Sequence, residues 1–109
     1  MRRTMRWILL ILLVTGGAAQ AADFDAKLVI RDHKFDPATL EVPAGSKIKL
    51  TIENQDATPE EFDSHSLNRE KVIPGGQKGT VFIGPLKPGR YPFMGEYHAN
   101  TAQGVVVAE

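Results

Sequence analysis

The sequence contains no cysteine among its 109 residues. That absence excludes disulfides, zinc fingers, iron–sulfur clusters, thiol catalysis and any copper centre held by a thiolate. The chain also lacks an excess of either charge, because 13 basic residues balance 13 acidic ones. Nucleic-acid-binding proteins normally carry a basic surplus, so the balance argues against that class. At this length we expect one domain with a modest hydrophobic core.

Two further classes of function find little support in the composition. One tryptophan, two tyrosines and five phenylalanines are too few to favour an aromatic platform for sugars or bases. Ser64, His65 and Ser66 do not form a hydrolase triad, because adjacent residues of a strand point to opposite faces. The sequence therefore does not predict a hydrolase.

Long apolar runs are missing as well. The run over residues 7–14 follows three arginines and precedes an A-x-A triplet that ends at Ala21. It is far shorter than the ~20 residues that span a bilayer, and the pattern is typical of a secretory signal peptide. We therefore predict that residues 1–21 are cleaved, leaving one domain over 22–109 that is periplasmic and not inserted in the membrane. Without the three arginines, ten basic residues face 13 acidic ones.

The rest of the chain has the alternation of β-strands. Ile48, Leu50 and Ile52 alternate with polar residues, which predicts one buried and one wet face. Turn signals recur every 8–12 residues, and no helical periodicity lasts longer than a turn. We predict an all-β Greek-key sandwich or barrel of seven to eight strands, with Pro92 in a strand that is an edge or is distorted there. The strand-like runs are 26–32, 39–42, 46–53, 61–67, 78–83, 90–94 and 105–108.

Two motifs together resemble the cupredoxins. Residues 35–45 read F-x-P-x-x-L-x-V-x-x-G, and residues 86–93 read L-x-P-G-x-Y-x-F. His98 and the run 104–107 continue the likeness. The stretches 61–64, 71–76 and 93–98 more narrowly resemble small cupredoxin-like proteins of periplasmic ferrous-iron uptake systems. The resemblance implies two protein partners, an inner-membrane iron permease and a periplasmic iron-binding protein.

The departures from the cupredoxin pattern concern the metal ligands. Gly95 stands four residues after Tyr91, where a blue-copper protein has its cysteine, whereas His98 matches the second histidine. The first histidine position is occupied by Glu60-Glu61, and Gln103 stands in the region of the axial methionine. A blue-copper electron carrier is therefore excluded, and which of the two glutamates faces the site stays open.

The remaining donors predict a different kind of metal site. If the cupredoxin pattern holds, all three histidines and several carboxylates meet at one end of the sandwich. Imidazole and carboxylate donors suit Cu(II), Zn(II) or iron. Asp63, Met94 and Gln103 are weaker candidates. The predicted ligands are His98, Glu61, Glu96, His65 and His33.

Three functions follow from this site. The first is ferrous-iron uptake, by binding iron or by oxidising it with a bound Cu(II), which would be a ferroxidase activity. The second is copper binding or handling without an iron role. The third is a metal-free sandwich that serves as an interaction module, in which Gly95 replaces the cysteine because no metal is needed.

Overall fold

The computed structural model describes residues 22–109, so the predicted signal peptide over 1–21 lies outside the described residues. Within 22–109 the secondary structure consists of strands and a 3₁₀ turn over Glu96–His98. None of the helical segments described is long and apolar enough to cross a membrane. The strands are β1 (Phe24–Arg31), β2 (Lys34–Asp36), β3 (Thr39–Val42), β4 (Ile48–Asn54), β5 (Glu60–Ser64), β6 (Arg69–Ile73), β7 (Lys78–Ile83), β8 (Gly89–Gly95) and β9 (Gln103–Ala108).

The strands form two sheets, which confirms the predicted all-β sandwich. One sheet has the order β2-β1-β4-β7 and the other β3-β9-β8-β5-β6. The pairs β1/β4 and β3/β9 are parallel, so the sheets are mixed. The structure adds two strands to those expected from the sequence. β2 is only three residues long, and β6 is exposed at four of its five positions, so neither shows a buried alternation.

The core lies between the two sheets and follows the alternation of the sequence. Ile48, Leu50 and Ile52 of β4 are fully buried, whereas Lys49 between them is exposed. Burial of each such side chain contributes about 1.5–3 kcal/mol. At one end of the core, Phe35 packs edge-on against Phe93, with ring centroids 4.9 Å apart.

The strand that contains Pro92, which we predicted to be an edge or to be distorted there, is not an edge of its sheet. β8 lies between β9 and β5, but its pairing with β5 covers only Gly95 and Met94. At Pro92 the pairing with β5 has ended, and the Pro92 carbonyl accepts a hydrogen bond from the Ser64 hydroxyl at 2.7 Å. The Ser64 hydroxyl therefore links β5 to β8 beyond the residues that the two strands pair.

Candidate metal centre

His33 is positioned by the tight turn between β1 and β2. Arg31 and Lys34 are paired, so Asp32 and His33 form a two-residue loop. Both loop residues have positive φ, 54° and 58°, as a type I′ turn requires. The Asp56 carboxylate accepts the N–H of Asp32 at 2.8 Å and that of His33 at 3.0 Å. This carboxylate therefore fixes the backbone of the histidine.

Asp56 is held in turn by the buried side chain of Asn54, the last residue of β4. The Asn54 amide donates to the carbonyls of Thr58 and Ile73, at 2.9 and 3.0 Å. Its oxygen accepts the N–H of Asp56 at 3.0 Å. Desolvation pushes the pKa of Asp56 upward, but the hydrogen bonds from the N–H groups of His33 and Asp32 outweigh it and lower the pKa below its usual value.

Glu60, the first residue of β5, carries a buried carboxylate. The burial of β5 alternates, so that Glu60 faces the core and Glu61 the outside, and the residue beside His98 is Glu60. One Glu60 oxygen accepts the N–H groups of Glu61 and Tyr97, at 3.1 and 2.9 Å. The other lies 2.5 Å from His98 Nδ1. A buried carboxylate is costly unless it is fully paired, and these three contacts satisfy that need.

The two histidines lie face to face. The rings of His33 and His98 have centroids 3.6 Å apart and an interplanar angle of 11°. His33 Nδ1 lies 3.4 Å from Asp56 Oδ2, yet it is buried and makes no hydrogen bond. We call the four side chains of His33, Asp56, Glu60 and His98 the end cluster. His33 Nδ1 is thus a possible metal-ligand atom that makes no hydrogen bond within the described chain.

Gly95 shows why a thiolate copper centre does not fit this end of the protein. A Cβ atom added at Gly95 would lie 2.6 Å from Glu60 Cδ and 2.7 Å from Ala102 Cβ. Real Cβ atoms essentially never lie within 3.0 Å of such an atom, so a side chain at position 95 would force its neighbours to shift. The Glu60 carboxylate thus occupies the space that a side chain at the cysteine position would need.

A harder metal ion fits the end cluster in its chemistry. Two imidazoles and carboxylates are donors that suit Cu(II), Zn(II) or iron. Within residues 22–109, however, no three histidine, aspartate or glutamate side chains are grouped so that they could hold an ion as they stand. The nitrogen lone pairs of the stacked rings also lie in two nearly parallel planes, with the ring centroids 3.6 Å apart, so they do not converge on one ion. Joint ligation by His33 and His98 therefore requires one ring to rotate.

The other three predicted ligands are not members of the end cluster. Glu96 is exposed in the 3₁₀ turn, and Glu61 lies on the outer face of β5. Desolvation, followed by the neighbouring carboxylates of Glu70 and Asp63, raises the pKa of Glu61. His65 follows the end of β5 and lines a groove on the outer face of the sheet. The structure therefore brings His98 and His33 together, and among the described residues no hydrogen bond links Glu61, Glu96 or His65 to either of them.

Two residues of the end cluster were not among the predicted ligands, Glu60 and Asp56. Glu60 has the same strand phase as Phe62, and that phase is the signal that could have placed it inside. Asp56 lies in a polar loop without periodicity, so only the structure shows that its carboxylate reaches the turn at His33.

This mixed β-sandwich with a polar cluster at one end defines a protein of the cupredoxin class. The family model described as a cupredoxin-like domain matches residues 4–108. The chain belongs to that family.

The similar proteins cover different shares of the chain. An uncharacterised protein of Rickettsia prowazekii (strain Madrid E) is 46% identical over 83 residues, which are 76% of this chain and 66% of that protein. The chain thus spans slightly less than two thirds of the length of this relative.

Solved structures show the same fold at low identity. A purple cupredoxin from Nitrosopumilus maritimus has a TM-score of 0.61 and 20% identity, over 78% of this chain and all of that chain. Auracyanin A, a blue copper protein from Chloroflexus aurantiacus, has a TM-score of 0.67 and 15% identity, over 78% and 98% of the two chains. These likenesses support the sandwich and carry nothing about the metal.

Proposed function

We propose that this chain is an exported cupredoxin-like protein that binds a metal ion through the end cluster and takes part in ferrous-iron uptake. The observation that carries the proposal is the buried Glu60 carboxylate, which contacts His98 at the position of the missing cysteine. The nitrogen of His33 that makes no hydrogen bond, on the ring stacked against His98, would supply a third ligand atom. The N-terminal pattern of arginines, apolar run and A-x-A triplet supports export.

Each residue of the cluster has a distinct part in this proposal. His98 and Glu60 would hold the ion, and His33 would join them after rotation of its ring. The proton between His98 Nδ1 and Glu60 would leave, because a metal ligand must be free of its proton. Asp56 would position His33 through the backbone N–H that it already binds.

Iron is the proposed cargo or substrate. A bound Cu(II) would supply a one-electron acceptor for Fe(II). Because one copper stores one electron, turnover would require a further electron acceptor outside this domain. The iron permease of the inner membrane and a periplasmic iron-binding protein are the proposed partners, in keeping with the sequence resemblance.

A metal-free interaction module is the second candidate function. Every Glu60 oxygen already has a partner within the protein, so the end cluster could join its loops without an ion. Copper handling without an iron role would use the same site as the first proposal. Expression that rises under iron limitation, rather than with added copper, would support iron uptake over copper handling.

The test is a thermal-stability titration with Cu(II), Zn(II) and, without oxygen, Fe(II). An ion that binds only the native state must raise the melting temperature. At a free-ion concentration one hundred times Kd, the free energy of unfolding rises by about 2.7 kcal/mol. We expect a rise with Cu(II) or Fe(II) for the wild type and none for His98→Ala, each compared with its own metal-free sample.

The matched control is His65→Ala, which removes a histidine outside the end cluster. It should keep the response of the wild type to Cu(II) and Fe(II). A wild-type melting temperature that is indifferent to all three ions would contradict the proposal and favour the metal-free module.

A further inference from the structure

A second group of donor atoms lies on the outer face of the five-stranded sheet. A groove of about 480 Å³ there is lined in part by Asp63, His65, Pro92, Met94 and Gln103. We call it the outer groove. Met94 pairs directly with Asp63 on one side and with Gln103 on the other. Directly opposed residues have Cβ atoms about 4.5–5.5 Å apart, so the three side chains stand in one row.

Most potential ligand atoms of the outer groove are free, whereas among the buried side-chain nitrogen and oxygen atoms of the end cluster only His33 Nδ1 lacks a hydrogen bond. Among the described residues, no hydrogen bond or ion pair engages the side chains of Asp63, His65 or Met94. Met94 is 39% exposed, although a methionine that serves packing would be buried. Gln103 uses its amide nitrogen on the Ala99 carbonyl at 2.9 Å, which leaves its side-chain oxygen free.

We propose that the outer groove is a second metal site, which binds Cu(I) through the Met94 thioether and the His65 imidazole. A thioether is a soft donor and selects Cu(I), whereas carboxylates and amide oxygens suit harder ions. The Asp63 carboxylate next to Met94 adds a negative charge that attracts the cation. The groove is otherwise mostly apolar, which favours a singly charged ion over a divalent one.

This site is independent of the end cluster and goes beyond the proposed function. Glu60 and His65 are five residues apart along and just beyond an extended strand, which corresponds to roughly 16 Å. Glu60 points into the core, and Met94 points to the outer face. A variant of one site should therefore leave the other intact.

The test uses Ag(I), which has the coordination preferences of Cu(I) and does not change oxidation state, as the probe. The full chain, labelled in its methionine methyl groups with ¹³C, is titrated in chloride-free buffer and followed by NMR. The Met94 signal is identified as the one that Met94→Leu lacks. We expect the Met94 methyl and the His65 ring to shift together, and the affinity to fall at least tenfold in Met94→Leu and in His65→Gln.

His98→Gln is the matched control, and its Met94 methyl signal should shift with Ag(I) as that of the wild type does. Wild-type affinity in Met94→Leu, or a Met94 signal that does not move at saturating Ag(I), would overturn the proposal. If Ag(I) shifts Met94 while Cu(II) fails to stabilise the wild type, the outer groove stands and the proposed function of the end cluster does not.

Discussion

The end cluster and the outer groove contain similar side chains in opposite states. In the end cluster, the Glu60 carboxylate and His98 are hydrogen-bonded to each other, and the histidine rings are stacked. In the outer groove, the imidazole and the thioether face solvent without a partner in the described chain. The difference shows that the chemical type of the ligand atoms does not by itself define a metal site. A closed cluster stabilises the fold first, and an ion must compete with its internal bonds.

Gly95→Ala should have the largest effect on stability, because the added methyl group would crowd the end cluster directly. The new methyl group would lie within 2.7 Å of Glu60 Cδ and Ala102 Cβ. Overpacking and displacement of a buried carboxylate should together cost about 3 kcal/mol, measured by urea unfolding. Gly89→Ala is the control on the same strand, since its nearest atom would be 3.7 Å away. Equal costs in the two variants would contradict the crowding at Gly95.

A double-mutant cycle sharpens the claim that Glu60 occupies the place of a side chain at position 95. Glu60→Ala removes the carboxylate, so the further cost of Gly95→Ala should be smaller in that background than in the wild type. We expect a coupling of about 1–3 kcal/mol in the free energy of unfolding. Additive costs within about 0.5 kcal/mol would show that the two positions do not share space.

Glu60→Gln tests how much the negative charge of the Glu60 carboxylate contributes to the stability of the protein. The amide keeps the shape of the carboxylate but accepts fewer hydrogen bonds from Glu61, Tyr97 and His98. We expect a loss of about 1–2 kcal/mol in the same unfolding experiment. A variant as stable as the wild type would mean that the carboxylate contributes shape alone.

Glu61→Gln changes the next residue, which lies on the outer face of β5. It should have the smallest effect on stability, and it should stabilise the protein where the other variants destabilise it. Desolvation and the carboxylates of Glu70 and Asp63 raise the pKa of Glu61 in the folded state. Ionisation is therefore harder in the folded protein, and the stability of the wild type falls as the pH rises through the raised pKa. The variant should melt slightly above the wild type at pH 7, and the difference should vanish at a pH below the pKa of an unfolded glutamate. A lower melting temperature at pH 7 would contradict this.

Much of the fold could be predicted because the strands of the core alternate regularly. Ile48, Leu50 and Ile52 show the period of two, and all three are buried. β2 and β6 could not be predicted, since three residues are too few for a pattern and β6 is exposed along most of its length. The parallel pairing of β1 with β4 depends on contacts between distant segments, which no local pattern contains.

The candidate site was predicted only in part. His98 and His33 lie together as the cupredoxin resemblance implies. The choice between Glu60 and Glu61 needed the phase of β5, which a polar strand shows only through Phe62. The stacking of His33 on His98, and the hydrogen bonds between Asp56 and the turn at His33, join loops that are distant in the sequence. The spacing of residues along the chain does not predict such contacts.

The most direct test of the end cluster as a metal site is an electron paramagnetic resonance spectrum of the full chain with one equivalent of Cu(II). The proposal predicts a type 2 signal with coupling to two imidazole nitrogens in the wild type. One nitrogen should remain in His33→Ala, and the signal should be unchanged in His65→Ala. A spectrum of aqueous copper, or a wild-type spectrum in His98→Ala, would contradict it.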